Sequence, residues 1–440
     1  MNATAESIRP AAARWTLILL ILANVLSVGD RMLLGVVAEP VRIELGLSDL
    51  QMGLANGFIF VAFHLAGGLV IARFIDRGRR MRILVLCIIV WSVATAAMAF
   101  VHDFASLAIA RIGVGVAEAA VFPAAMSLIP DLFGEQSRGR ALAAFQTSGF
   151  LGVMACTSLA GVLAGSLGWR GMFMIFGAAG VLFAVIVQLT AREPVRAGRS
   201  AQVPASLPCL RDVGAACARV LALPGFPCLA LAFGMAAMVG AATGAWAPAF
   251  LQRSHGVSLA EVGLAMGLAS GLGGICGTLL AGVLIDRLAA RGAQFPAMLR
   301  IPIVCLPLSV PLLLGFIFAP ASGIAVLCLG ALSFLLGCAV APCVTCAVAC
   351  VPATDRGIAS ILMLVAAGLI GSSLGPLLVG AASDLLAAGS GRESLRHAMV
   401  LVSAAPPGAV ALLLASRRQM QAMPGDGVLP LRYRAASDNG

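Results

Sequence analysis

The sequence predicts an all-α membrane protein with twelve transmembrane helices arranged as two six-helix bundles. Three observations lead to this prediction. Of the 440 residues, 60% are hydrophobic and 11% are charged, whereas soluble domains average about 25% charged residues. Apolar runs long enough to cross a bilayer recur along the chain, and the ten-residue alternation of a membrane β-barrel is absent from the sequence. Short motifs also recur at matching places in the two halves.

The first half contains six apolar runs, each of about 20 residues or more, as a helix needs in order to cross the hydrocarbon core. Helix 1 contains Asp30 and Arg31, and an arginine-rich loop around Arg73–Arg82 separates helices 2 and 3. The predicted helices 1 to 6 are Trp15–Ala38, Leu50–Phe74, Ile83–Val101, Phe104–Ile129, Ala141–Leu167 and Gly171–Thr190.

A polar stretch rich in Pro, Ser and Gly, with five arginines, divides the chain nearly in half and predicts a cytoplasmic linker over residues 191–223. The predicted helices 7 to 12 are Gly225–Leu251, Ala260–Ile285, Leu299–Ala319, Ile324–Val351, Gly357–Leu386 and His397–Ala415. The predicted domains are an N-terminus (1–14), a bundle (15–190), the linker, a second bundle (224–415) and a polar tail (416–440).

The distribution of arginine predicts the orientation. The chain has no lysine, and of its 29 arginines 22 fall in loops and termini on the proposed inside, 5 on the outside and 2 within helices. Cytoplasmic loops carry such an excess of basic residues. We therefore expect a plasma (inner) membrane protein with both termini cytoplasmic. The net charge of +10 needs no nucleic-acid partner to explain it.

The cysteine and histidine residues do not predict a metal site. Three of the twelve cysteines, Cys338, Cys343 and Cys346, have a spacing seen in iron–sulfur proteins. They lie in an apolar run, however, where cysteine usually serves as a small buried residue. The four histidines are scattered along the chain. We expect no metal and no cofactor.

Charged residues inside apolar helices are the strongest functional signal. Arg111 and Glu118 lie within the apolar stretch Ala110–Ala141, seven residues apart and so on one helical face, with Gly115 between them. A charge at the bilayer centre costs about 2.5–3.5 kcal/mol on insertion scales and usually marks a functional site. Together with Asp30, these residues predict a buried ionic site that takes part in function. The alternative is a static ion pair that only holds helices together.

Two further residues have open roles. Arg31 follows Asp30 but points about 100° away on a helix, so it either contacts an anionic substrate headgroup or neutralises a carboxylate. His64, near the middle of helix 2, is a candidate for substrate binding or proton relay. A hydrogen-bonded packing histidine is the more common situation.

The two halves of the chain repeat each other. Glycines four or so residues apart in helices 5 and 11 would let neighbouring helices approach closely. Two six-helix halves in parallel repeat predict a site near the midplane that opens alternately to each side. The matching motifs are Asp76-Arg77 with Asp286-Arg287, and Arg138-Gly139 with Arg356-Gly357.

These motifs resemble those of the major facilitator superfamily, whose signature loop after helix 2 has the form G-x-x-x-D-R-x-G-R-R. The chain matches it from Asp76 to Arg80 but has Ala72 in place of the first glycine. The resemblance implies the major facilitator fold and a cytoplasmic gate of paired charges. The implied gate residues are Asp76, Arg77, Arg79, Arg80 and Arg138, with Asp286, Arg287 and Arg356 in the second half.

Within the superfamily the chain resembles the Spinster-like branch over about residues 14–415. The matching motifs are Gly29-Asp30-Arg31, the stretch Gly46–Gly53, Ala110–Ala119, Arg253–Gly256 and Glu393–Ala398. This resemblance implies that Asp30 and Arg111 form the proton-coupling pair, with Glu118 as a second carrier or an orienting group. The anion:cation symporter branch shares the charges of helices 1 and 4 and remains the rival.

We therefore predict a proton-coupled secondary transporter and not an enzyme, since no nucleophile with a paired base is evident. The paired repeats favour alternating access over a fixed channel pore. The scarcity of polar side chains near the charges predicts an amphipathic, anionic or zwitterionic substrate, bound by Arg31, Arg111 and His64. The alternative substrate is a small organic carboxylate. The expected partners are this substrate, protons and the lipid bilayer, with the chain acting as a monomer.

Overall fold

The structure, a computed structural model, describes residues 10–77, 79–191, 193–194 and 210–422. Every regular element in these ranges is helical. Eleven helical segments are long and apolar enough to cross a membrane, which identifies a multi-pass membrane protein. The all-α prediction is confirmed.

The described residues of the first half form eight α-helices. A π-helical turn, Leu54–Ile59, joins α3 to α4 so that the two form a single span. The helices are α1 Pro10–Val36, α2 Ala38–Leu45, α3 Asp49–Gly53, α4 Phe60–Arg77, α5 Arg80–Ala97, α6 Phe104–Glu118, α7 Val121–Leu132 and α8 Glu135–Thr190.

Between residues 210 and 422, the second half forms nine α-helices. A second π-helical turn, Ala367–Leu374, joins α14 to α15. The helices are α9 Leu210–Leu221, α10 Phe226–His255, α11 Leu259–Ala290, α12 Arg300–Ile317, α13 Ser322–Ala349, α14 Arg356–Ala366, α15 Gly375–Ser390, α16 Ser394–Val400 and α17 Ala405–Gln421.

Helix α8 consists of two membrane spans. Its 56 residues include Gly168, whose φ of 72° and ψ of 166° are not helical. A straight helix of that length would extend about 84 Å, far beyond a hydrocarbon core of about 30 Å. Glycine adopts positive φ without a steric penalty, so the chain turns at Gly168. The predicted helices 5 and 6 correspond to the two parts of α8, and eleven segments thus contain twelve spans.

A charged contact lies beside this turn. Glu44 in α2 accepts a hydrogen bond from the Trp169 indole at 2.5 Å and pairs with Arg170 at 2.9 Å. The hydrogen bond from Trp169 and the pairing with Arg170 hold the pKa of Glu44 below its usual range. A carboxyl whose pKa is lowered on folding stabilises the fold above its unfolded pKa and loses that contribution as pH falls. The contact therefore weakens only under acidic conditions.

Helix 4 is interrupted in a way that the sequence analysis did not predict. The span Phe104–Leu132 has a turn at Ala119–Ala120, between α6 and α7. Proline has no N–H, so Pro123 cannot donate the helical hydrogen bond to the carbonyl of Ala119. Glu118 is consequently the last residue of α6.

Two short helices and one helix end also differ from expectation. Helix α2 lies in the predicted loop after helix 1, and α9 lies in the predicted linker, where apolar residues recur with helical spacing at Leu210, Val213, Cys217 and Val220. The last helix extends to Gln421, beyond the predicted end at Ala415, because Ser416 is buried and its hydroxyl donates to the carbonyl of Gly225 at 2.8 Å.

The described residues divide into two compact units, one within Met1–Ala205 and Ser258–Gly267, the other within Ser206–Val257 and Leu268–Gly440. Each unit has its own hydrophobic core. The core of the first unit contains Leu20, Ile88, Trp91, Leu128 and Phe145. The core of the second contains Phe226, Leu229, Leu306, Met363 and Leu413.

Gly177 provides a test of the close packing between α5 and the second part of α8. A Cβ atom at Gly177 would lie 2.6 Å from the carbonyl oxygen of Ser92 and 2.7 Å from the amide of Ala96. Overpacking of this kind costs about 1–3 kcal/mol. We expect Gly177→Ala to lower the thermal unfolding midpoint of the purified protein.

Gly149→Ala, in the same helix α8, is the matched control, because a Cβ there would lie 3.6 Å or more from the nearest atoms, which belong to α1. It should leave the midpoint unchanged or raise it, since alanine favours a helix over glycine. Equal midpoints for the two variants would contradict the packing described here.

Candidate functional site

Four ionisable side chains from two helices form a cluster inside the first unit. Helix α1 supplies Asp30 and Arg31, and helix α6 supplies Arg111 and Glu118. Glu118 is fully buried, Arg111 is 1% exposed and Asp30 is 7% exposed. The side chain of Arg31 is 31% exposed. The cluster has two acidic and two basic members, so it is neutral overall when all four are ionised.

Arg31 and Glu118 form the direct ion pair of the cluster. The Arg31 Nε donates to Glu118 Oε2 at 2.9 Å. The hydroxyl of Ser27, one helical turn before Arg31, donates to the same carboxylate oxygen at 3.5 Å. Among the described residues, no donor hydrogen-bonds to the other carboxylate oxygen, Glu118 Oε1. The buried carboxylate is therefore only partly satisfied, which leaves one oxygen able to accept a further proton donor.

Asp30 is held by a neighbouring helix. The hydroxyl of Thr95 in α5 donates to Asp30 Oδ2 at 2.8 Å. The Asp30 side chain also lies within hydrogen-bonding reach of Glu118. A hydrogen bond between two carboxyl groups requires that one of them hold a proton. The two acids of the cluster are thus placed where they can share a single proton.

Arg111 is buried against α4 and the π-helical turn. Its Nε donates to the carbonyl oxygen of Ala55 at 3.1 Å, and its guanidinium lies 4.6 Å from the centroid of the Phe60 ring. No acceptor in the described part of the chain hydrogen-bonds to Arg111 Nη2. Within the described part of the chain, Arg111 forms no ion pair with Asp30 closer than 4.0 Å, although the two attract each other across the cluster. The predicted Asp30–Arg111 pair therefore shares the cluster without direct contact in this conformation.

His64 is fixed between the charged cluster and the backbone. Its Nδ1 lies 3.1 Å from the carbonyl oxygen of Gly115, and its Nε2 lies 3.5 Å from Arg31 Nη2. A carbonyl can only accept and a guanidinium can only donate, so the contacts suit the neutral ring with its proton on Nδ1. The ring also stacks on Phe60. His64 thus orients Arg31.

Gly115 explains how α4 and α6 come this close. A Cβ at this position would lie 2.8 Å from the carbonyl oxygen of Phe60, so a larger residue would push the two helices apart. The glycine that the sequence places between Arg111 and Glu118 therefore allows His64 and Phe60 to reach the cluster. Small residues serve in this way at many helix contacts in membranes.

The predicted gate residues have different surroundings. Arg80 is buried in the first unit, where it pairs with Asp131 at 2.5 Å and Glu193 at 3.0 Å. Arg138 donates to the carbonyl of Pro130 at 3.2 Å. Arg79, Asp286 and Arg287 are exposed, and Arg356 has a buried Nε without a partner. The side chains of Asp76 and Arg77 lie outside the described residues.

Sequence reasoning missed the neutral groups that position the charges. Thr95, Ser27, Phe60 and the carbonyl of Ala55 all contact the cluster. For Thr95 and Ser27, the only indication in the sequence was a hydroxyl side chain within an apolar helix. Many other serines and threonines of this chain also lie in apolar helices. Among the described residues, no group of three or more His, Cys, Asp or Glu side chains is arranged to hold a metal ion.

Comparisons with known proteins point to one family. The sequence matches the profile of the Major Facilitator Superfamily over residues 20–376. It is 34% identical over 404 residues to an MFS-type efflux pump of Mycolicibacterium smegmatis, covering 91% of each chain. It is 26% identical to a probable galactarate/D-glucarate transporter of Bacillus subtilis, covering 68% of this chain and 71% of the relative.

A solved structure is also similar. The crystal structure of a bacterial homologue of the human lysosomal transporter Spinster, in an inward-facing and unoccupied conformation, superposes with a TM-score of 0.82. The two chains are 27% identical, and the match covers 94% of this chain and 99% of the other. The similarity therefore extends over both six-helix halves.

The Arg31–Glu118 pair can be tested through stability. Removing one member of a buried pair leaves an uncompensated charge, which typically costs about 3–5 kcal/mol. Because Glu118 is fully buried and Arg31 is partly exposed, we expect Arg31→Gln to lower the thermal unfolding midpoint markedly. The double variant Arg31→Gln/Glu118→Gln should recover much of this loss.

The measurement is a double-mutant cycle on purified protein, with Glu118→Gln as the fourth corner. Additive effects of the two single substitutions would show that the side chains are not energetically coupled.

Proposed function

The chain belongs to the major facilitator superfamily, and we propose that it is a proton-coupled secondary transporter of an amphipathic, anionic or zwitterionic organic substrate. It is a transporter and not an enzyme. In this proposal, the cluster of Asp30, Arg31, Arg111 and Glu118 links proton binding to substrate binding. The single observation that carries it is the buried Arg31–Glu118 pair with an unpartnered carboxylate oxygen.

The linkage follows from the unequal burial of the pair. Arg31 is the most exposed member of the cluster, so an anionic headgroup can reach its guanidinium. An anion bound there competes with Glu118 for Arg31. Glu118 would then be a buried carboxylate without a counter-ion, and a proton removes that charge at far lower cost than leaving it unpaired. Anion binding and proton binding at this site are therefore coupled.

Asp30 completes the proton site in this proposal. It lies beside Glu118 and is oriented by Thr95, so a proton on either acid can be shared with the other. Arg111, which is buried beneath Phe60, balances the remaining acid charge. Loss of Asp30 should therefore uncouple the proton without removing the group that holds the substrate.

The substrate class is inferred from the surroundings of Arg31. The guanidinium of Arg31 lies over the Phe60 ring at 5.6 Å and beside His64, which gives one charged contact next to an apolar aromatic surface. This combination suits a charged head joined to an apolar body, as in a lysolipid. The similarity to an efflux pump and to a Spinster homologue supports that class.

A small organic carboxylate is the second candidate. The specific observation in its favour is the similarity to a probable galactarate/D-glucarate transporter. A dicarboxylate would also use Arg31, and its second carboxylate would need a further donor, for which Arg111 Nη2 is unpartnered. An anion:proton symporter would operate through the same linkage of Arg31 and Glu118.

The remaining roles follow from the family. We propose that Asp76, Arg77, Arg79, Arg80 and Arg138, together with Asp286, Arg287 and Arg356, control the cytoplasmic gate. We place the chain in the plasma (inner) membrane with both termini cytoplasmic, since this puts 22 of the 29 arginines inside. The proposed functional unit is a monomer.

Asp30→Asn tests the coupling role. We expect the variant to lose accumulation driven by an imposed pH gradient in liposomes, because the amide cannot take up the proton. Exchange of labelled for unlabelled substrate should be partly retained, because Arg31 remains. The measurement compares both activities in the same preparations.

Asp103→Asn is the matched control. Asp103 caps the start of α6 through a hydrogen bond from the Ser106 amide and lies outside the cluster, and asparagine caps a helix about as well as aspartate. This variant should accumulate substrate like the unmodified protein. Undiminished accumulation by Asp30→Asn would refute the coupling role.

Arg31→Gln tests which substrate class binds. Labelled lysophospholipid and galactarate are offered side by side in the same liposome assay. Loss of the charge should raise the KM for the transported anion about tenfold or more, since a hydrogen bond to a charged group contributes about 1.5–3 kcal/mol. Transport of galactarate alone would favour the carboxylate candidate, and an unchanged KM would show that Arg31 does not bind the substrate.

A further inference from the structure

Two adjoining cavities open on the surface of the first unit, between α5 and the second part of α8. The larger is about 330 Å³ and the smaller about 230 Å³. Arg82, Val85 and Gln188 line both cavities, so together they form one continuous groove. We call it the α5–α8 groove. It lies away from the charged cluster, on the opposite, exposed face of α5.

The larger cavity is mainly apolar and belongs to the membrane-spanning surface. It is lined by Leu86, Ile89, Val185 and Leu189, all of which are exposed. Exposed aliphatic side chains on a membrane span face lipid tails. At about 30 Å³ for each water-sized group, a volume of 330 Å³ has room for roughly ten methylene-sized groups. The space fits part of one acyl chain.

The mouth of the groove is basic. Arg79 and Arg82 line it and are exposed, and neither has a hydrogen bond or ion pair within the described part of the chain. Arg79 is the N-cap residue of α5 and Arg82 lies in its first turn, at the end of the helix where the apolar span begins. Their charges are therefore available at the level of the lipid headgroups.

Among the described residues that line the smaller cavity, the acid Glu193 is paired with a buried arginine. Glu193 accepts hydrogen bonds from the Arg80 side chain at 3.0 Å and from the backbone amides of Arg80 and Met81 at 3.2 and 2.8 Å. Arg80 itself is buried, and its second partner is Asp131. With one positive and two negative groups, Arg80, Glu193 and Asp131 together carry one net negative charge. The two positive charges of Arg79 and Arg82 leave the described part of the mouth net positive.

We propose that the α5–α8 groove binds an anionic phospholipid of the surrounding bilayer. An acyl chain occupies the apolar part, and the headgroup phosphate lies between Arg79 and Arg82. Gln188 provides a neutral hydrogen-bond donor at the boundary between the two regions. The apolar part of the groove meets its basic mouth at the level where a phospholipid changes from tail to headgroup. This complementarity of charge and shape carries the proposal.

The test is a lipid titration of the purified full-length protein in detergent, read by native mass spectrometry. Phosphatidylglycerol and phosphatidylcholine with identical acyl chains are the two probes. We expect phosphatidylglycerol to bind more tightly. Each basic residue near an anionic lipid surface contributes about 1 kcal/mol, or roughly fivefold. Arg79→Gln/Arg82→Gln should therefore weaken phosphatidylglycerol binding about 25-fold and leave phosphatidylcholine binding nearly unchanged.

Two further variants make the result specific. Val185→Trp places a large side chain in the groove from an exposed position and should reduce the binding of both lipids with the arginines intact. Arg291→Gln/Arg300→Gln removes two exposed arginines next to α11 and α12 in the other unit and should leave binding unchanged. Thermal unfolding of each variant checks that it is folded.

Equal affinity for the two lipids would overturn the proposal. So would a control double variant that weakens phosphatidylglycerol binding as much as Arg79→Gln/Arg82→Gln does, because the attraction would then be one of overall charge. Undiminished binding in Val185→Trp would place the lipid elsewhere.

Discussion

Charge balance among four clustered side chains is the constraint on which the first unit depends. Asp30, Arg31, Arg111 and Glu118 come from only two helices, and three of them are almost wholly buried. An isolated charge in such a place is too costly to persist, so each member requires the others. A protein that kept this cluster only for stability would do as well with packed apolar residues. Its incomplete hydrogen bonding among the described residues, at Glu118 Oε1 and Arg111 Nη2, fits the exchange of partners that we propose.

The surrounding fold supplies what the charges need. Gly115 allows α4 to approach α6, and the π-helical turn before α4 contains the carbonyl of Ala55 that Arg111 uses. π-Helical turns often occur at functional sites because they rearrange local backbone hydrogen bonds. The interruption of helix 4 after Glu118 likewise disturbs the backbone hydrogen bonds, because Pro123 has no N–H to donate. Each of these irregularities is adjacent to a charged residue of the cluster.

Much of the fold could be predicted from the sequence, because hydrophobic length alone locates a membrane span. The buried charges could be predicted for the same reason, since Arg111 and Glu118 stand out within an apolar stretch. Their pairing could not. Spacing placed Arg111 and Glu118 on one face, but which partner each one contacts depends on Thr95, Phe60 and the backbone of Ala55. Short amphipathic elements such as α9 were missed because a polar average concealed their helical spacing.

Isotope-edited infrared spectroscopy of the carboxyl groups tests proton binding at this cluster most directly. The carbonyl band of a protonated carboxyl is recorded as a function of pH for the unmodified protein, Asp30→Asn and Glu118→Gln. Proton sharing between the two acids predicts a pH-dependent band that is lost or shifted in both variants. A band that titrates identically in all three proteins would contradict a proton site formed by Asp30 and Glu118.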